Sequence, residues 1–402
     1  MSTSCEVLVV GAGVAGAAAA VAAARGGART ILVERECYLG GTGFAGRFQY
    51  ICGLYLNADA APTETLNPGI TREISELLFK ASPGKDIKKI GQVYGQPYDY
   101  DALQSVLTSL CYGENNIATL RGHAAIAVTM DEGEVRSVTI GGTRGKQDIT
   151  PKMVVDCSGS GEVAALADAP FELTGKDERQ LAGFVVHVKG LRDVDENLSL
   201  KVPYHLAQAV KQGIFEQAIK FTTFSPGDAA DEGFCKMSIV STDGSPREEK
   251  ARTDADAVIR HLASVLPAFV GATIADTSLK VLEREGRRVK GAYTLTKEDV
   301  LAARKFPDGV VKNAWPIELW DRAKGTIYKY VPRGEYYEIP FRCLMVNGIT
   351  NLLTAGRCIS VTHEALGSTR VMGACMALGE QAGKAAAYWV RNGKYPENIK
   401  EY

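Results

Sequence analysis

The chain has few of the residues that build metal centres and redox-active cysteine pairs. Its 402 residues include five histidines, no two of them at the spacing of metal ligands. Nine cysteines occur without a Cys-x-x-Cys pair, so neither an iron–sulfur cluster nor a thioredoxin-like disulfide is indicated. An odd number of cysteines in a chain without a secretory signal favours reduced, mostly buried thiols. We therefore expect no metal site.

An excess of charge of one sign is also lacking. The 46 lysines and arginines are balanced by 47 aspartates and glutamates, which leaves a net charge of −1. This balance gives no electrostatic reason to expect a nucleic acid or an anionic membrane as partner. It is compatible with a homo-oligomer but does not indicate one. A length of 402 residues suffices for two closely connected domains.

The first 34 residues predict a βαβ unit with a glycine-rich turn. Gly11, Gly13 and Gly16 form Gly-x-Gly-x-x-Gly directly after an apolar run, and a helix of small residues follows. In such a turn the glycines permit a sharp bend, a close approach to a pyrophosphate and tight helix packing. Glu34 ends the second strand eighteen residues after Gly16, where a carboxylate can bind a ribose. The pattern predicts dinucleotide binding, and a glycine-rich turn in an ordinary βαβ unit is the alternative.

The apolar stretch from Val7 to Ala24 could also be taken for a signal peptide or a membrane helix. Glu6 precedes it in place of the usual basic residues, and its glycines have fingerprint spacing. We therefore expect no targeting segment and a soluble, cytoplasmic protein.

The remaining patterns predict an α/β fold with two parts. Short alternating runs between 118 and 155 indicate a β-meander, and helical periodicity marks residues 71–80, 99–111, 247–265 and 371–390. Thr296 and Asp299 have the spacing of a capping box that opens a short helix. We expect a Rossmann-like FAD-binding domain, with a central parallel sheet and the meander, plus an inserted α+β substrate domain. Residues 1–169 and 346–402 would form the first, and residues 170–345 the second.

Four stretches resemble the FAD-dependent oxidoreductase family of glutathione-reductase-like flavoproteins, related in fold to fumarate reductase flavoprotein subunits. They are the opening fingerprint with Glu34, the segment 39–41, the turn 155–161 and the run 351–387. The resemblance implies FAD as cofactor. The residues it implies for FAD binding are Gly11, Gly13, Ala15, Gly16, Glu34, Arg35, Gly40, Gly41, Thr42, Gly46, Ala125, Cys157, Gly159, Gly356, Arg357, Arg370, Val371, Met372 and Gly373.

Two other cofactor arrangements are less favoured. Residues 159–164 could form a second fingerprint for NAD(P), but no strand ending in an acid follows at the right distance. Cys37 and Cys52 flank the glycine-rich segment, so a covalent flavin link stays open, although no histidine stands there. Gly356-Arg357 replaces the Gly-Asp pair of flavin-dependent aromatic hydroxylases, which favours dehydrogenation or reduction over hydroxylation.

The flavin would transfer hydride through N5, and the protein would supply orientation, charge and protons. Arg288, Arg342 and Arg370 are candidates for binding an anion, and His363 for moving a proton. The alternatives are ion pairs of Arg288 with Glu283 or Glu285 and a structural hydrogen bond of His363.

We expect an FAD-dependent dehydrogenase or reductase that acts on a small organic substrate. If the arginines bind this substrate, it would be an anion. The electron donor or acceptor is not indicated. The alternatives are a flavoprotein that uses FAD without net substrate redox and an electron-transfer flavoprotein subunit.

Overall fold

The computed structural model describes residues 3–143, 145–195, 197–240 and 247–396. The strands of these residues are β1 Thr3–Val10, β2 Thr30–Glu34, β3 Tyr50–Cys52, β4 Lys88–Ile90, β5 Val93–Pro97, β6 Ile117–Arg121, β7 His123–Asp131, β8 Glu134–Gly142, β9 Gly145–Asp156, β10 Phe171–Glu172, β11 Ala182–Lys189, β12 Thr223–Pro226, β13 Glu232–Ile239, β14 Thr273–Thr277, β15 Arg288–Val289, β16 Gly309–Asn313, β17 Ile317–Asp321, β18 Gly325–Lys329, β19 Tyr337–Pro340 and β20 Leu352–Thr354. The α-helices are α1 Val14–Arg25, α2 Gly41–Ala45, α3 Ile70–Ala81, α4 Tyr100–Gly113, α5 Glu162–Leu166, α6 Leu198–Lys211, α7 Arg247–Val265, α8 Lys297–Leu301, α9 His363–Thr369 and α10 Met372–Asn392.

A seven-stranded sheet joins the two ends of the chain. Its strand order is β6-β2-β1-β9-β8-β7, and β20 pairs with β9 beside this path. The pairs β1–β2, β1–β9, β2–β6 and β9–β20 are parallel, whereas β7, β8 and β9 form an antiparallel meander. The predicted α/β class, central parallel sheet and meander are confirmed.

The register of this sheet brings four strand ends to one edge. Val10 pairs with Val33 of β2 and with Asp156 of β9, and Asp156 pairs with Thr354 of β20. The residues that follow these strands therefore leave the sheet side by side at its carboxyl edge, where open α/β sheets bind their ligands.

Close packing of α1 against α10 holds this edge together. A Cβ on Gly379 would lie 1.9 Å from the carbonyl oxygen of Ala15, and one on Gly383 would lie 2.2 Å from that of Ala19. Glycine at these positions lets the two helix backbones approach more closely than any side chain would allow. Helix α10 thereby supports α1.

A second sheet, of order β12-β13-β11-β14, has a core of its own with α6 and α7. That core draws on residues from Ala182 to Val281, whereas buried residues from Leu295 to Leu366 join the core of the main sheet. The buried residues of the predicted inserted segment 170–345 thus belong mainly to two different cores. Its limits, residues 170 and 345, stay a prediction.

None of the helices in the described ranges is both long enough and apolar enough to cross a membrane.

Candidate cofactor and substrate site

A cavity of about 800 Å³ lies at the carboxyl edge of the main sheet. Its size is within the ~300–1,000 Å³ that is usual for ligand sites. The turns after β1, β2, β9 and β20 line one part of the cavity, and residues of the second sheet and of β17 line another.

The turn after β1 leaves room for a ligand against the backbone. Gly11 has a φ of 96°, and a Cβ there would meet the carbonyl oxygen of Cys157 at 2.5 Å. A Cβ on Gly13 would find only the Cα of Gly41, at 3.9 Å, so it would project into open space. No described side chain caps α1, and its first turn has no acidic residue. Its N–H groups and positive helix end suit a phosphate.

The second glycine-rich segment lies directly against the first. The N–H of Gly40 donates to the carbonyl of Ala12 over 2.8 Å, and a Cβ on Gly41 would lie 2.9 Å from the Cα of Gly13. α10 begins beside them, with Val371 and Met372 on the cavity wall and no side-chain cap among the residues described. Two helix N-termini therefore adjoin one cavity.

Glu34 is buried at the end of β2 and lines the cavity. Its carboxylate accepts hydrogen bonds from the N–H of Ala12 at 2.6 Å and of Glu36 at 2.9 Å. These bonds hold it beside the glycine turn. His123, at the start of β7, lines the same region and was not predicted from the sequence.

Most residues predicted to bind FAD line this cavity. They are Gly11, Gly13, Ala15, Glu34, Arg35, Gly40, Gly41, Thr42, Ala125, Cys157, Gly159, Gly356, Arg357, Arg370, Val371 and Met372. The other three, Gly16, Gly46 and Gly373, serve close packing, since a Cβ on each would come within 2.6 Å of backbone atoms. Their predicted part in FAD binding would be indirect.

Three of the four predicted catalytic residues do not line the cavity in the described structure. His363 Nδ1 lies 3.0 Å from Glu285 Oε2, at the start of α9. Arg288 is buried beside Glu285 and Glu172, with N–O distances of 3.6 Å to both. Arg342 forms an ion pair with Asp308 at 2.9 Å and is partly exposed. Their catalytic roles stay predictions, whereas Arg370 does line the cavity.

Three charged residues on the far wall were not predicted from the sequence as part of the site. Lys236 of β13, Arg284, and Glu318 of β17 line the cavity together with Arg370. A signal was present, because Lys236 interrupts the apolar run Phe234-Cys235-Lys236-Met237 of its strand. The tertiary pairing that turns it toward the cavity is not visible in that run.

The residues present fit an FAD molecule. Gly13 leaves space where a side chain would stand, two uncapped helix N-termini adjoin the cavity, and Glu34 is fixed at the end of the second strand. Buried Arg370 Nε also lacks a hydrogen-bond partner among the described residues. These groups are complementary to phosphate, ribose and a polar ring edge.

The fold and this cavity define a protein that binds a nucleotide cofactor on a Rossmann-like sheet. The chain belongs to the FAD dependent oxidoreductase family, whose model matches residues 6–401. It is therefore an enzyme of that family with FAD as its cofactor. No curated protein matches the sequence.

Solved structures with this fold are distant in sequence. A geranylgeranyl bacteriochlorophyll reductase-like protein from Thermoplasma acidophilum has a TM-score of 0.53 at 12% identity, covering 100% of this chain and 83% of the other. The anhydrotetracycline hydroxylase OxyS from Streptomyces rimosus has a TM-score of 0.54 at 15% identity, covering 99% and 65%. CabE, an aromatic hydroxylase from angucycline biosynthesis, has 0.54 at 16%, covering 98% and 64%. This chain spans less than two thirds of those two hydroxylases, and the likeness concerns the fold.

Proposed function

We propose that this enzyme is a dehydrogenase or reductase that moves hydride between FAD and a small organic substrate. The observation that carries the proposal is the composition of the cavity at the carboxyl edge of the main sheet. Its glycine-lined part is suited to a dinucleotide, and the same cavity continues to a wall of charged and aromatic side chains. Cofactor and substrate would therefore share one cavity.

When bound, FAD supplies the centre that accepts or donates hydride. The turn Gly11–Gly13 and the start of α1 would bind the pyrophosphate, and Glu34 the ribose. Gly40, Gly41 and the start of α10 would hold the ring system.

Arg357 supports this part of the cavity from the β20 turn. Its Nε donates to the carbonyl of Gly159 over 2.8 Å, and its Nη1 donates to the carbonyl of Glu283. It thus joins the turn after β9 to the segment that leads to the far wall. Its role would be to orient the cofactor rather than to take part in hydride transfer.

The decisive test is the visible absorbance of the purified protein, kept anaerobic, before and after adding NADH or NADPH. Bleaching would identify a pyridine-nucleotide-driven reductase. A spectrum that persists with NAD(P)H but bleaches with an organic substrate would identify a dehydrogenase.

Conversion of a substrate without net reduction or oxidation would instead support use of FAD without net redox. Passage of electrons only to a protein partner would support an electron-transfer subunit. Absence of flavin, even after reconstitution with FAD, would overturn the proposal.

A further inference from the structure

On the far wall of the cavity, three cationic side chains lie near one carboxylate, so this cluster carries more positive than negative charge. Its members come from β13, β17 and two connecting segments, and the neighbouring Arg247–Glu283 ion pair, which also lines the cavity, is balanced in charge. The members of the cluster are Lys236, Arg284, Arg370 and Glu318. Because they come from elements far apart in the chain, only the folded arrangement brings them together.

The carboxylate on this wall is already engaged by neutral groups. Glu318 Oε1 accepts a hydrogen bond from the indole N–H of Trp320 at 2.7 Å, and Oε2 accepts one from that of Trp315 at 3.3 Å. Its negative charge stabilises the charged forms of the neighbouring cations. One carboxylate cannot balance three cations, so positive charge remains in excess.

The three cations have neutral partners. Arg370 Nη2 donates to the backbone carbonyl of Glu318 over 3.0 Å. The Arg284 guanidinium stacks 3.9 Å from the ring centre of Trp320 and donates to the carbonyl of Leu181. Lys236 Nζ lies 4.4 Å from the same ring centre and makes no ion pair or hydrogen bond with the part of the chain that the structure describes.

Another buried cation shows the contrast. Arg288, outside the cavity, lies between Glu172 and Glu285, with N–O distances of 3.6 Å to both. Buried charge is normally compensated in this way, because uncompensated burial is unfavourable. On the cavity wall the excess positive charge would be compensated by an anionic ligand bound in the cavity.

The wall is also shaped for these groups. Gly183 of β11 provides space for Arg284, since a Cβ there would lie 3.2 Å from its Nη2. Phe48, Tyr50 and Trp315 line the cavity with aromatic surface. A ligand that fits both features has an anionic group and an apolar body.

We propose that Lys236, Arg284 and Arg370 bind the carboxylate of the substrate and that the substrate is an aromatic or similarly apolar carboxylic acid. The inference rests on the proposed function for the identity of the cavity as an active site. Lys236 acts here as a specificity residue: its ammonium, which forms no ion pair with the described residues, supplies the contact that a neutral ligand cannot use. The two arginines orient the carboxylate.

Binding of simple arylcarboxylates to the holoprotein tests this proposal. Benzoate, phenylacetate and cinnamate are titrated beside their amides, with calorimetry and the flavin's visible absorbance as readouts. At least one acid should bind tenfold or more tightly than its amide. Equal binding of acids and amides, or no binding of any acid, overturns the proposal.

Variants assign the effect to Lys236. Lys236→Gln should weaken binding of the acid tenfold or more at unchanged FAD content, and Lys236→Arg should restore most of it. Lys220→Gln is the matched control, because Lys220 also lies over an aromatic ring, 4.7 Å from the centre of Phe221, but does not line the cavity. Should Lys236→Gln fold poorly, Glu318→Gln offers a second test at a pH low enough to keep Lys236 protonated: a more positive wall should then bind the acid more tightly.

Unchanged affinity in both Lys236→Gln and Glu318→Gln would overturn the proposal. So would loss of FAD from a folded Lys236→Gln protein, since the lysine would then serve the cofactor. Calorimetry also separates this inference from the proposed function. A chain that binds arylcarboxylates through Lys236 but holds no FAD would refute the function and leave the binding site.

Discussion

The two parts of the cavity are built by different means. At the carboxyl edge of the main sheet, recognition depends on backbone: glycines at positions 11, 13, 40 and 41, strand ends in register and two helix N-termini. On the far wall it depends on long side chains from a second sheet and a hairpin, set against aromatic rings. A backbone site suits a ligand common to a whole family, whereas a side-chain site can change by substitution. The predictions below separate these two parts.

The largest expected effect is at Gly13. Because the space beside it is open, Gly13→Val should fold but place a side chain where the cofactor approaches the backbone. We expect FAD affinity to fall by roughly 100-fold or more, equivalent to ~2.7 kcal/mol. FAD content after purification and titration of the apoprotein measure it. Gly113→Val, also in open space but at the end of α4, is the control. A fully yellow Gly13→Val protein would refute the pyrophosphate assignment.

This contrast also explains what the sequence could predict. Gly11, Gly13 and Glu34 act through short, local spacing, and helix α7 lies where periodicity placed it, at Arg247–Val265. The capping box of Thr296 and Asp299 is present as expected.

The far wall could not be predicted in this way. Lys236 faces the cavity only because β13 pairs with β11 and β12. Glu318 reaches the same cavity from a separate hairpin, formed by β17 and β18. Such contacts join residues distant in sequence, and no local pattern in a single sequence encodes them.

A substitution at the contact between α1 and α10 should lower the free energy of unfolding, because these helices support the glycine-rich part of the cavity. Gly379→Ala would put a Cβ 1.9 Å from the carbonyl oxygen of Ala15, which forces the helices apart. Overpacking of this type costs ~1–3 kcal/mol, and we expect the upper part of that range. Thermal and denaturant unfolding of the apoprotein measure it. An unchanged midpoint would show that the helices can separate at little cost.

A rise in pH should weaken the binding of an arylcarboxylate at the far wall and leave FAD binding at the glycine-rich part unchanged. Burial and neighbouring Arg284 lower the pKa of Lys236 to about 8, with Arg370 acting in the same direction and Glu318 and Cys52 opposing. An anion needs the protonated amine, so arylcarboxylate affinity should hold below pH 8. Above pH 8 it should fall, approaching about tenfold per pH unit until the pKa of the bound state is reached.

Calorimetry at pH 7 to 9.5 checks this dependence, with FAD content followed in parallel. Lys236→Arg should give a flatter profile, because arginine stays protonated to higher pH. A wild-type profile as flat as that of the variant would mean that Lys236 does not bind the anion.

The smallest effect on the cavity is expected from His363, which contacts a buried carboxylate outside it. Burial raises the pKa of Glu285, but hydrogen bonds from His363, the N–H of Gln180 and Thr174 outweigh this and lower it below its ordinary value. Its contribution to stability is therefore present at neutral pH and is lost as the pH falls through the lowered pKa. His363→Ala removes one of these partners.

We expect His363→Ala to keep FAD and to lose ~1–3 kcal/mol of unfolding free energy at pH 7. Because protonation of Glu285 makes the lost partner matter less, the difference from wild type should shrink once the pH falls through the lowered pKa of Glu285. Unfolding at pH 7 and at that lower pH measures this, and His261→Ala, at a partly buried position of α7, is a control. Turnover of wild type and His363→Ala, compared under conditions where both are fully folded, then tests the catalytic prediction. Slower turnover of the folded variant requires a role for His363 in the reaction. Lower stability with unchanged turnover means that His363 serves to bind Glu285.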